Sequence, residues 1–135
     1  QYAYDVIKQA NDMIGGTDKV TEDASYSTTA LENIKNRVKG QAYFMRALAY
    51  FNLVRTFGRV PLVTTLDINY NETNAEFSDI YARIVAELQQ ADSVLPKVYS
   101  KAGNLTSLES STAYARVTSG AAKSLLASVY LDMAG

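Results

Sequence analysis

The sequence predicts an all-α fold, and three observations carry that prediction. First, Gly40 to Phe57 contains no proline and only two charges, Arg46 and Arg55, while apolar residues point in nearly every direction of a helical wheel. A surface helix shows one apolar stripe, so this stretch is expected to be walled in by other helices on most of its circumference. Second, three further segments carry apolar residues at helical spacing and are punctuated by Gly or Pro. Third, the chain matches itself at an offset of 80 residues.

The elements follow in order. Val6, Ile7, Ala10, Met13 and Ile14 place a first helix over residues 2–14, with Gly15-Gly16 as its stop. Residues 17–28 are polar and aperiodic, a connection. Thr29 with Glu32 has the form of a capping box, so the second helix is predicted from near Ala30 to Phe57, with Leu31, Ile34 and Val38 on one face of its first turns. Small residues (Gly40, Ala42, Ala47, Ala49) would let neighbours approach closely, and Tyr43, Phe44, Tyr50, Phe51 and Phe57 supply bulk. Gly58 and Pro61 end the helix and lead into an extended apolar segment and a polar loop, Asp67 to Asn74. Thr73 with Glu76 suggests a second capping box. A third helix then runs to about Leu95, its core face being Phe77, Ile80, Tyr81, Ile84, Leu88, Ala91 and Leu95, and Pro96 closes it. Residues 97–115 read as a long surface connection. The last helix starts near Thr118 and offers Ala121, Ala122, Leu125, Leu126, Val129, Tyr130 and Met133 to a core.

The offset repeat lays the fourth helix on the second. Gly40 meets Gly120, Ala42 meets Ala122, Ala47 meets Ala127, Tyr50 meets Tyr130 and Phe51 meets Leu131. An offset of 81 lays the third helix on the first, with Ile7 on Leu88 and Ala10 on Ala91. The implied architecture is tetratricopeptide-like: stacked helical hairpins with long inserted loops, forming a single domain over residues 1–135.

Composition bounds the function. The 135 residues carry 13 Lys+Arg against 14 Asp+Glu, a net charge of −1, which leaves no footprint for nucleic acid or an anionic membrane. There is no His and no Cys, so the common zinc, haem and iron–sulfur ligand sets and His- or Cys-based catalysis are missing, and no cofactor is expected. The carboxylates Asp5, Glu22, Glu32, Asp79, Glu87, Asp92 and Glu109 are scattered, with no pair spaced as acid and base; the expectation is a non-enzyme. No leader-like segment or lipidation motif is visible.

Three segments resemble a known family. Phe44-Met45-Arg46-Ala47-Leu48-Ala49-Tyr50-Phe51, running on through Phe57-Gly58-Arg59-Val60-Pro61-Leu62-Val63-Thr64, is similar to the hallmark helix and turn of SusD/RagB-type proteins. Ile7 to Ile14, with Ala10-Asn11, is similar to that family's early helix, and Arg116 to Leu131 to its Ala-Ala-Lys, Leu-Leu-Ala helix. Departures are Gln41, Met45 and Arg59, where an acidic residue, Leu and Asp are usual. The resemblance implies the SusD-like helical core of a longer surface nutrient-binding lipoprotein of the outer membrane. Such a protein captures glycans or oligosaccharides non-covalently for uptake through a TonB-dependent, SusC-like transporter. The lipid-bearing Cys is absent from the sequence at hand. The alternative is a tetratricopeptide-type protein–protein interaction module with no small ligand.

Candidate ligand-binding residues are Asn69, Tyr70, Asn71 and Tyr99, with Asn104 and Tyr114 of the same kind: amides suit sugar hydroxyls, and an aromatic face suits the C–H side of a sugar ring. Asp67-x-Asn69-x-Asn71 opens like a calcium loop, but Glu72 stands where Gly is needed and Ser78 where a bidentate Glu is needed, so no metal is expected. Arg46, four residues before Tyr50, is expected to stack on it or to pair with an acid on a neighbouring helix. The apolar last helix predicts self-association of the chain.

Overall fold

The computed structural model describes residues 2–21, 27–63, 73–97 and 117–135. Among these residues there are four α-helices and no strand: α1 (Tyr2–Lys19), α2 (Thr28–Phe57), α3 (Phe77–Val94) and α4 (Ser119–Ala134). They alternate in direction. Lys39 of α2 reaches Asp18 late in α1, the end of α3 lies against Gly40, and Lys123 early in α4 pairs with Asp92 late in α3. Helix α2 packs between α1 and α3, and α4 packs on α3 with little contact to α2. These are the stacked hairpins expected from the periodicity.

Helix ends show where local signals were overruled. α1 runs through Gly15-Gly16 to Lys19 instead of stopping there. A helical Gly costs only about 1 kcal/mol, and here the Thr17 hydroxyl donates to the Met13 carbonyl (2.6 Å) while Lys19 favours the last turn electrostatically. Neither expected capping box forms. α2 is capped by Ser27, whose hydroxyl accepts from the Ala30 amide (3.2 Å), so it begins at Thr28, and Glu32 pairs with Lys35 instead. The N-cap of α3 is Glu76, whose carboxylate faces Arg59 (3.2 Å) and leaves the cap without a side-chain bond. α4 starts where expected, capped by Thr118, whose hydroxyl accepts from the Ala121 amide at 3.3 Å.

Gly58 ends α2 in the left-handed region (φ 77°) while its amide donates to the Val54 carbonyl. Leu95, extended ahead of Pro96, ends α3. The core is built on Ile7, Tyr50, Ile80, Ile84, Leu88 and Val129, the largest side chains that are fully buried.

Within α2, residues from Gly40 to Val54 are buried or half-buried except Met45 and Asn52, so the expected enclosure holds until the last turn, where Arg55, Thr56 and Phe57 are exposed. Met13, Ile34, Phe77, Tyr130 and Met133, expected on core faces, are exposed as well. Met13 sits at the edge of its stripe, Ile34 lies in the N-terminal overhang of α2 beyond α3, and Phe77 is the first residue of its helix. Tyr130 lies at the margin of the α3 contact, where its hydroxyl accepts from Gln89 Nε2 (3.4 Å), and Met133 falls in the last turn of α4.

Candidate functional site

Asn69, Tyr70, Asn71 and Tyr99 lie outside the described residues, as do Asp67, Asn104 and Tyr114. What is described is the frame from which those segments depart. Residues 64–72 join stems at the C-terminal end of α2 and the N-terminal end of α3. Residues 98–116 join stems at the opposite end of α3, about 27 Å away at 1.5 Å per residue over 18 residues. The stems of Asn69–Asn71 and of Tyr99 are thus set at two ends of the stack.

The first pair of stems is tied together. The Ala75 amide donates to the Val60 carbonyl (3.0 Å), and Arg59 faces Glu76 across the same gap. Below this closure, Val63 is fastened to the helices by both of its backbone groups. Its amide donates to the Tyr50 hydroxyl (2.5 Å), which in turn donates to the Val63 carbonyl (2.9 Å), and that carbonyl also accepts from Asn11 Nδ2 (3.1 Å). An extended segment beside helices has no ladder to satisfy its polar groups, so side chains from α1 and α2 supply the partners.

The bonds continue inward. Asn11 Oδ1 accepts from Arg46 Nη1 (2.8 Å), and Arg46 Nη2 pairs with Glu87 Oε1 on α3. All of these side chains are buried. One polar line therefore runs from α3 through α2 and α1 to the root of the loop. Arg46 meets an acid of a neighbouring helix, as expected, but its guanidinium lies over the Tyr43 ring (5.6 Å to the centroid), not over Tyr50. The reason is geometric: the Tyr50 hydroxyl is committed to Val63. Burial pushes the Tyr50 hydroxyl up to about 12, with the Val63 backbone bond opposing. Tyr81, at the same end of the stack, is also pushed up to about 12, by desolvation first and then by its hydrogen bond to the Asp132 carboxylate of α4.

This arrangement fastens the root of the 64–72 segment to α1 and α2. Among the described residues no three His, Cys, Asp or Glu side chains gather as metal ligands. Two exposed aromatics, Phe57 and Phe77, flank the loop-bearing end. Asn11 and Glu87 were not singled out from sequence for this role, although both stand on apolar stripes. Glu87 follows Ile80 and Ile84 at i+7 and i+3, and Asn11 follows Ile7 at i+4. A charge or amide in such a position signals a buried partner.

A family described as "Starch-binding associating with outer membrane" (SusD-like) matches residues 1–131. A SusD-like protein P2 of Formosa agariphila is 34% identical over 134 residues, which is 96% of this chain and 22% of that protein. Among solved structures, a SusD superfamily protein from Parabacteroides distasonis is 32% identical with a TM-score of 0.73, covering 98% of this chain and 25% of its own. A laminarin-binding SusD-like protein is 30% identical with a TM-score of 0.74, covering 96% and 25%. The chain thus spans about a quarter or less of the length of these relatives.

Proposed function

The chain belongs to the SusD-like family of carbohydrate-binding, non-catalytic proteins, and from that premise we propose that it is the helical scaffold of a surface protein that captures glycans for uptake through a TonB-dependent, SusC-like transporter. The observation that carries the proposal is the double fastening of Val63. Side chains from α1 and α2 hold the root of the segment bearing Asn69, Tyr70 and Asn71, and the Val60–Ala75 bond closes its two stems. A loop rooted in this way loses less entropy on engaging a ligand. In this reading Asn69 and Asn71 hydrogen-bond sugar hydroxyls, and Tyr70 stacks on a ring. Tyr99, rooted at the other end of α3, contacts a more distant part of an extended chain. The laminarin-binding relative makes a neutral β-glucan the first ligand to try.

In this reading the protein works at the outer-membrane surface, which the family description supports. No helix among the described residues is long and apolar enough to cross a membrane. The test is calorimetric titration of the intact protein with laminarin and a panel of neutral oligosaccharides. Saturable binding that Tyr70→Ala weakens about tenfold supports the reading, and binding of no glycan in the panel overturns it. Retention of a SusC-like barrel by the immobilised protein tests the transporter partner. The alternative, an interaction module without a small ligand, draws on the exposed Tyr130, Leu131 and Met133 of α4, and predicts barrel retention without glycan binding.

A further inference from the structure

Helix α2 is 30 residues long against 18 for α3, and the two are level at the Gly58–Phe77 end. The excess length therefore overhangs at the N-terminal end of α2. The helices approach closely at Gly40, where a Cβ would stand 2.7 Å from Val94 Cγ2. Beyond that crossing, Leu95 and Pro96 turn the chain away and a cleft opens. Its volume is about 320 Å³ and it is lined by Asn33, Asn36, Arg37, Ser93, Val94 and Pro96, at the small end of the roughly 300–1,000 Å³ range of ligand pockets.

Asn33, Asn36 and Arg37 lie seven, four and three residues before Gly40, so they continue the face by which α2 packs on α3. At the point where that face leaves α3 it changes from small and apolar to strongly hydrogen-bonding. These groups are also uncommitted. Of the basic residues on α2, Lys35 pairs with Glu32, Lys39 with Asp18 and Arg46 with Glu87, while Arg55 lies over the Phe51 ring. Among the described residues Arg37 has no partner and no acid lines the cleft. The two amides beside it are likewise unpaired, and only the Ser93 hydroxyl is engaged, donating to the Gln90 carbonyl (2.7 Å).

We propose that this cleft is a second saccharide subsite, selective for a sugar that carries a carboxylate, with Arg37 as the carboxylate partner and Asn33 and Asn36 as partners for the neighbouring hydroxyls. A guanidinium presents a planar fork of donors that matches a carboxylate. Amides one turn apart both donate and accept, as hydroxyls on adjacent ring carbons require. The Pro96 ring and the Val94 side chain give the ligand an apolar wall. The inference rests on the glycan-binding reading above and adds a charge preference at the end of α3 from which Tyr99 departs, away from the Asn69–Asn71 loop.

The experiment titrates the intact protein with a galacturonic-acid trisaccharide, with laminaritriose as its neutral counterpart, and with a Glu-rich hexapeptide. The acidic trisaccharide is expected to bind, and Arg37→Ala to weaken it about tenfold or more, the size of one lost charge-assisted hydrogen bond. Laminaritriose binding should be unchanged by that variant, and Asn33→Ala with Asn36→Ala should reduce the acidic sugar further. No binding of the acidic trisaccharide, equal response of both sugars to Arg37→Ala, or tighter binding of the peptide would overturn the subsite. Laminaritriose binding that survives any of these results leaves the loop-based reading standing, so the two proposals fail separately.

Discussion

Helices α2 and α4 carry matching residues and have opposite fates. Tyr50 is fully buried whereas its counterpart Tyr130 is 46% exposed, and Phe51 is 3% exposed whereas Leu131 is 75% exposed. Ala42 and Ala122 are buried alike, because each faces a helix that precedes or follows it closely. The difference lies in the neighbours. α2 has α1 on one side and α3 on the other, while α4 has α3 and little else among the described residues. Sequence similarity therefore sets which residues are able to face a core, and the number of packed neighbours sets which of them do.

The comparison is broken most severely at Glu87. Removing this carboxylate leaves Arg46 charged and buried, and Glu87→Ala is expected to cost about 3–5 kcal/mol in urea unfolding. Replacing both partners together, as in Arg46→Met with Glu87→Leu, should cost much less. Among the described residues Arg46 Nε and Glu87 Oε2 have no hydrogen-bond partner, so part of the pair's desolvation cost is uncompensated. If the double variant is as unstable as the single, the pair contributes more than mutual neutralisation.

The matched glycines sharpen the contrast. An Ala at position 40 would press on Val94 and Leu95 at 2.7 and 3.1 Å, and a β-branched valine has little room to yield. Gly40→Ala is therefore expected to destabilise by about 1–2 kcal/mol despite its better helix propensity. Gly120→Ala meets only its own cap oxygen, at 3.6 Å, and should be neutral or stabilising by up to about 1 kcal/mol. Equal effects at the two sites would erase the asymmetry between the hairpins.

Alkaline unfolding probes the burial of Tyr50 directly. The Tyr50 hydroxyl lies at about 12 in the fold against an ordinary 10.0, so the folded state holds its proton more tightly. Its contribution is complete below pH 10 and is lost as pH rises from 10 to about 12. Tyr50→Phe should flatten the loss of stability over that window, leaving the parts due to Tyr81, Tyr4 and Lys39, which are raised as well. It should also weaken glycan binding through the loop rooted at Val63.

The smallest effect belongs to the open face of α4. Leu131→Lys should change stability by no more than about 0.5 kcal/mol. The same substitution should abolish any rise of mass with concentration in light scattering, since Tyr130, Leu131 and Met133 form the exposed apolar face expected to drive self-association.

Much of this was legible in the sequence. Four helices, the Gly58 stop, the Pro96 boundary and the enclosure of α2 from Gly40 to Val54 follow from periodicity and backbone chemistry, which are local properties. The capping boxes read at Thr29 and Thr73 do not form, because Glu32 and Glu76 each have a basic side chain to pair with instead. The Asn11–Val63 bond spans 52 residues, and the Arg46–Glu87 pair 41. An apolar stripe shows that a polar residue is buried but not which distant group satisfies it. The exposure of Tyr130 and Met133 was hidden for the same reason, since burial depends on a neighbour that the helix itself does not encode.

Hydrogen exchange of this chain, resolved by peptide, tests the central claim that α2 is the enclosed axis of the stack. Amides between Phe44 and Val54 are predicted to be the slowest to exchange, well behind those from Ala127 to Ala134 in α4. Equal protection of the two stretches, or slower exchange in α4, would contradict it.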